Sequence, residues 1–174
     1  MPTEPTNKNF LSPVGFRFLI QKLPTVNWFV QAVNLPGVSL GEASMPTPFV
    51  DGAFPGEKLT YEPLTLRFKV DEDLKNWMEL QNWMVGLGFP DNFGQYEDLV
   101  SNKTFGEKSI FSDATLVILN SNMNSNFEVV FKDAFPTSLS ELAFDSTAAD
   151  IDFITADVTF RYLSYTYRKF TTAT

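Results

Sequence analysis

Two groups of carboxylates are the residues of this 174-residue chain whose type and spacing could do chemistry: Asp71, Glu72 and Asp73, then Asp145, Asp150 and Asp152. Neighbouring carboxylates can divide acid and base roles or share a divalent cation. The first trio stands where a helix is expected to begin, so capping by Asp71 and the positive end of the helix dipole account for it more simply than catalysis. The second lies in a segment, 145–152, that lacks the glycine and closing glutamate of an EF-hand loop and reads as a solvated turn. The chain has no histidine and no cysteine. Their absence removes imidazole bases, Ser-His-Asp and Cys-His machinery, disulfides, and nearly every common zinc, copper or non-haem iron site. No catalytic residue, metal or cofactor is expected. The enzymatic alternative is a carboxylate-only hydrolase working through Asp71 or Asp145. Trp28, Trp77 and Trp83 could stack on sugars in a carbohydrate-binding β-sandwich, but their strand and helix positions favour burial.

Charge and composition narrow the partners. Formal net charge is −8, and an acidic surface repels phosphates, which argues against a sequence-reading nucleic-acid protein. Ordinary solubility is the simplest account of the excess. With 18 phenylalanines, 5 tyrosines and 3 tryptophans, aromatic packing must dominate the core or an interface. The N-terminus has neither a basic nor an apolar signal region, and no apolar run approaches the ~20 residues that span a bilayer. A soluble protein without a signal peptide or membrane insertion is expected.

The elements that must position these residues are best marked between 64 and 87. Leu64, Leu66, Phe68 and Val70 alternate with Thr65, Arg67 and Lys69, the pattern of a half-buried strand. A helix over about 72–87 follows, with Leu74, Trp77, Met78, Met84 and Val85 at helical spacing and Gly86 and Gly88 as its stop. It is the one convincing helix. Strands are expected over 15–23 and 27–33, joined by a short hairpin after Pro24 breaks the first. A Pro-Gly bend at 34–41 leads to a third short strand. Residues 45–57, with three prolines and two glycines, read as a long loop and not a strand. Residues 89–111 read as a polar connection. Further strands are expected over 114–120 and 127–132, flanking an Asn-rich turn, and one long strand over 156–170. The expected fold is mainly β (α+β): an antiparallel β-sandwich or barrel with one packed helix and long loops. Residues 1–13 form an N-terminal arm, 14–170 one domain and 171–174 a flexible tail.

The 45–57 loop exposes apolar residues between prolines. Prolines limit the entropy lost on docking, so Met45, Pro48, Phe49, Val50, Phe54 and Pro55 are expected to contact another subunit. The arm is expected to make contacts through Asn9, Phe10 and Leu11.

Four short motifs, in order, carry a family likeness. They are Leu35-Pro36-Gly37; the strand-to-helix junction at 66–77; Phe135-Pro136 with Leu139, Leu142 and Phe144-Asp145; and Val158-Thr159-Phe160-Arg161-Tyr162. Over roughly 14–168 the chain resembles the tail tube proteins of contractile-tailed bacteriophages, with a longer arm and an enlarged 89–111. The resemblance implies a structural, non-enzymatic subunit that forms homohexameric rings, its sheets joining between copies into a ring barrel and the rings stacking into a tube. It implies as partners copies of itself, the tail sheath, baseplate or hub and tail-terminator proteins, and phage DNA passing through the lumen without sequence-specific binding. The place implied is the virion tail, assembled in the host cytoplasm. A baseplate hub or tube-initiator subunit of the same fold, or the tube subunit of a phage-like injection device such as type VI secretion, is the near alternative.

Overall fold

The structure, a computed structural model, describes residues 8–101, 110–147 and 152–170. Asp150, the first seven residues of the expected arm and the tail at 171–174 lie outside the described residues. Nine strands and three helices are found among those described: β1 (Phe16–Ile20), α1 (Pro24–Phe29), β2 (Val30–Val33), β3 (Val38–Met45), β4 (Gly52–Tyr61), β5 (Leu64–Lys69), α2 (Lys75–Gly88), α3 (Gly94–Ser101), β6 (Ser112–Leu119), β7 (Ser125–Leu139), β8 (Thr155–Arg161) and β9 (Ser164–Lys169).

The main sheet runs β1-β6-β7-β8-β5-β2, with β9 on β7, and every pairing is antiparallel. It folds over at β7, a strand of 15 residues that belongs to two layers. Phe127–Lys132 of β7 pairs with β9, and Phe135–Leu139 pairs with β8. Between them Asp133 takes a left-handed backbone (φ 54°), and the register with β6 slips nearby. The opposing chain bends at the same level, where Leu163 N–H donates to the Lys132 carbonyl (2.9 Å). Strands that change layer do so through such bulges and bends. One layer is therefore β1-β6-β7-β9 and the other β2-β5-β8 with the end of β7.

Alternation builds the core between them. Leu64, Leu66 and Phe68 of β5 and Ala156, Val158 and Phe160 of β8 are buried, and Phe18, Ile20, Leu116, Val129 and Phe131 face them from the other layer. Full burial of each large side chain is worth about 1.5–3 kcal/mol. Leu80 and Trp83 of α2 and Val26 of α1 close the core. Neither layer closes into a barrel among the described residues, so the sandwich form of the expected mainly β, α+β fold is the one adopted.

Several boundaries differ from expectation for local reasons. Pro24 breaks the first strand and also starts α1, because its fixed φ suits the first helical turn. Only Val30–Val33 of the expected second strand remains, and it pairs with β5, not β1. Trp28 consequently rides on a short helix and is exposed, against the expected burial. Residues 52–61 form strand β4, not loop; Pro55 is accommodated opposite Glu42 beside a bulge. The expected helix starts later, at Lys75, behind Leu74 in a left-handed conformation. Residues 71–74 close first as a turn (Leu74 N to Asp71 O, 3.0 Å), so Glu72 and Asp73 precede the helix instead of filling its first turn. Asp71 still accepts from Lys75 N (3.3 Å). Gly86 is no stop: it lies inside α2, where an added Cβ would stand 3.1 Å from Leu99, and its bareness admits α3. That third helix occupies part of the expected 89–111 connection. The expected 156–170 strand is two strands separated by the bend that changes layer.

Candidate functional site

The expected interface residues gather on one element. β3 and β4 form a two-stranded hairpin separate from the main sheet. Every residue of β3 is exposed. Met45 ends β3, Pro48, Phe49 and Val50 lie in the tip, and Phe54 and Pro55 lie in β4. Phe49 is 98% exposed and Val50 73%. Val50 N–H donates to the Thr47 hydroxyl (3.3 Å), which shapes the tip. Val38 faces Tyr61 and Leu40 faces Leu59 across the hairpin, giving one apolar side. An isolated two-stranded hairpin is marginal in water. Midway, the strands are so close that a Cβ on Gly56 would stand 2.6 Å from the Gly41 carbonyl oxygen, which reserves that bulge for glycine.

Three tyrosines hold the stem. The chain leaves the sandwich through Leu35-Pro36-Gly37 and returns through Glu62-Pro63, the two strands tied by Glu62 N to Gly37 O (3.0 Å). Asn34 bridges them again, its Nδ2 donating to Pro63 O (3.1 Å) and its Oδ1 accepting from Thr65 N (2.6 Å). Tyr162 OH donates to Glu62 O (2.8 Å) and Tyr165 OH to Pro36 O (3.4 Å). Both rings pack against Phe131 and against Tyr61 at the end of β4. The exposed hairpin is thus tied to the core by aromatic rings on its root.

Burial pushes the Tyr162 phenol up to about 12, with the neighbouring Tyr165 and Tyr61 adding to the shift. A phenol whose folded pKa exceeds its unfolded 10.0 contributes stability below pH 10 that is lost as pH rises toward 12. Tyr162→Phe is expected to flatten the fall of stability between those values; urea unfolding at pH 9, 10 and 11 measures it, and equal slopes in both proteins would refute the assignment.

The remaining expected residues fall in three places. Asn9, Phe10 and Leu11 line a shallow pocket with 118–122, Asn126 and Phe127, Phe10 being 97% exposed. Phe135 and Pro136 lie in the part of β7 that joins β8, where Phe135 meets the Phe111 ring edge-on (5.8 Å). Val158 and Phe160 are buried in β8, and Thr159 points the other way. Asp145 accepts from the Thr147 backbone (2.8 Å) and hydroxyl (2.6 Å), bonds that hold its carboxyl below the usual range.

The carboxylates do not converge. Among the described residues no three acidic side chains are placed to share a metal ion. Asp73 pairs with Lys75 (2.6 Å) on the surface. The tryptophans form no common platform: Trp83 is buried, Trp77 half-buried, and only Trp28 is open. Two residues that sequence reasoning missed are structural. Asn76 is fully buried, donates to Lys69 O (2.8 Å) and accepts from Asp71 N (3.3 Å), stapling α2 to β5. Tyr165 was hidden inside what read as one amphipathic strand.

Comparison with known proteins places this arrangement. No family model matches the chain. It is 29% identical over 146 residues, 80% of its own length and 76% of the relative's, to the tail tube terminator protein of Enterobacteria phage T4. A chain of the cryo-EM structure of the anti-feeding prophage tube-terminating cap superposes with TM-score 0.58 at 13% identity, covering 96% of each chain. A chain of the sheath–tube complex of the PVC extracellular contractile injection system, in its extended state, superposes with TM-score 0.57 at 15% identity and 94% coverage of each.

Proposed function

Because the chain has the tube fold shared by proteins of contractile tails and injection systems, we propose that it is a non-enzymatic structural subunit forming a homohexameric ring that ends a tail tube. The observation that carries the terminal position is the 29% identity, across 80% of the chain, with a tail tube terminator. Likeness to the solved structures, at 13% and 15% identity, speaks to fold alone. The partners are copies of itself, the tube below, the sheath and, along the tail, the baseplate, with DNA passing through the ring.

The arrangement suits this role physically. Open sheet edges invite pairing with a like edge, and a ring removes them. The projecting hairpin offers Phe49, Val50 and Phe54 to an adjacent ring, and the arm offers Phe10 and Leu11. Six copies at −8 each give −48, a charge that keeps a passing polyanion from sticking.

The second reading is the repeating tube subunit, favoured by the same apolar hairpin. Electron microscopy of purified protein separates the two. A terminator forms single rings that cap preformed tubes; a repeating subunit grows tubes by itself. A protein that remains monomeric at high concentration and binds no tube refutes both.

A further inference from the structure

The two ends of the β1-β6-β7-β9 layer differ in a way that fits one to the other. On β9, Tyr167 stands directly opposite Val129, so its side chain points to the core side of the layer. Val129 is buried, yet Tyr167 is 77% exposed. The layer therefore runs past its cover at this end, leaving a large aromatic in core register and mostly uncovered among the described residues. At the other end, β1 pairs only with β6; the Asn27 side chain bonds the outward N–H and carbonyl of Ile20 (2.9 and 3.1 Å), and the outer backbone edge is open at Phe16 and Phe18 among the described residues. Beside it a groove of about 680 Å³ lies between β1 and the α1–β2 segment, lined by Phe16, Phe18, Leu19, Trp28 and Val30 among others. Trp28 is 87% exposed on its wall.

We infer that Tyr167 of one copy docks in the Phe16–Trp28 groove of the next, as β9 pairs with β1 and carries the layer across the subunit boundary. This rests on the ring reading above and names the contact that closes it. Direction agrees with it. Four strands alternating in direction leave β1 and β9 antiparallel, and rotation about a ring axis preserves each strand's sense along that axis. The new β9–β1 pair is then antiparallel, like every other pair in the layer. The two surfaces are different patches of one chain, so the contact is head-to-tail, the type that closes into rings. Register is consistent too: Tyr167 continues the inward row to which Phe16 and Phe18 belong, and Trp28 supplies the missing cover. Exposed aromatics at a free edge are the residues that dominate interfaces once desolvated. The second copy is the occupant because only a chain with this same open edge extends both the hydrogen-bond ladder and the core row.

The absence of cysteine makes the test direct. Trp28→Cys and Tyr167→Cys are each made alone and together in the full chain, at positions exposed in the monomer, and treated with a short bismaleimide. The double variant is expected to give a ladder of linked species up to the hexamer, and a mixture of the two single variants to give linked dimers that neither gives alone. Tyr167→Asp is expected to shift native rings to monomers in sedimentation. Rings that form without the ladder overturn this contact and leave the ring reading standing. Failure of the unsubstituted chain to form any ring overturns both.

Discussion

Trp83→Ala is expected to cost about 3–5 kcal/mol of folding stability, a large share of the ~5–15 kcal/mol that holds a domain together. The indole is 3% exposed, and its ring lies 6.3 Å from that of Phe160. Its Nε1–H donates to the Ile110 carbonyl (3.0 Å), which truncation would leave without this donor. The site resists collapse, because α2 is stapled to β5 by Asn76 at one end and interlocked with Leu99 at Gly86 near the other. A cavity that cannot close costs more than the lost transfer energy. Urea unfolding with an unchanged m-value is the measurement. A loss below about 1 kcal/mol would mean that α2 does not share the sandwich core.

Phe49→Asp with Val50→Asp is expected to do the reverse, sparing the fold and removing assembly. Both side chains are exposed in the isolated chain, so unfolding midpoints should move little; surface substitutions usually stay within about 0.5 kcal/mol. If the hairpin tip is buried between rings, each truncated apolar anchor costs roughly 2–4 kcal/mol there, about thirtyfold to a thousandfold in affinity. Charge in an apolar pocket adds to that loss. Capping of preformed tubes, seen by microscopy, reads the effect. Normal capping by a folded variant would remove the hairpin tip from the interface.

The β5–α2 junction and the inward rows of β5 and β8 were legible in the sequence, because strict alternation leaves only one way to bury Leu64, Leu66, Phe68, Val158 and Phe160. The likeness to tail tube proteins rested on short motifs and holds at the level of the fold. The motifs mark supports: Pro36 is buried at the hairpin stem, and Phe160 is buried in the core. What escaped was tertiary in origin. Prolines at 46, 48 and 55 disguised a hairpin as a loop, since a strand outside the main sheet tolerates them. The bend at Tyr162–Leu163 left no local mark, because the cause is the bulge at Asp133 on another strand. Trp28 looked like core because Pro24 was read as an end and not as a beginning. Of the candidate site, its residues were visible as an apolar, Pro-rich stretch, whereas Tyr162 and Tyr165, which anchor it, lie 100 and 129 positions from the Glu62 and Pro36 they bond and appear only when the layers fold over.

The strand shared by both layers has a mechanical consequence. At about 3.3 Å per residue, fifteen residues reach roughly 50 Å as one unbroken backbone. Tension applied at the β9 margin passes through ladder hydrogen bonds into β7, along its covalent backbone into the second layer, and from there through hydrogen bonds into β8. Such a body resists being parted layer from layer, a useful trait if, as proposed, it ends the tube of a tail that contracts.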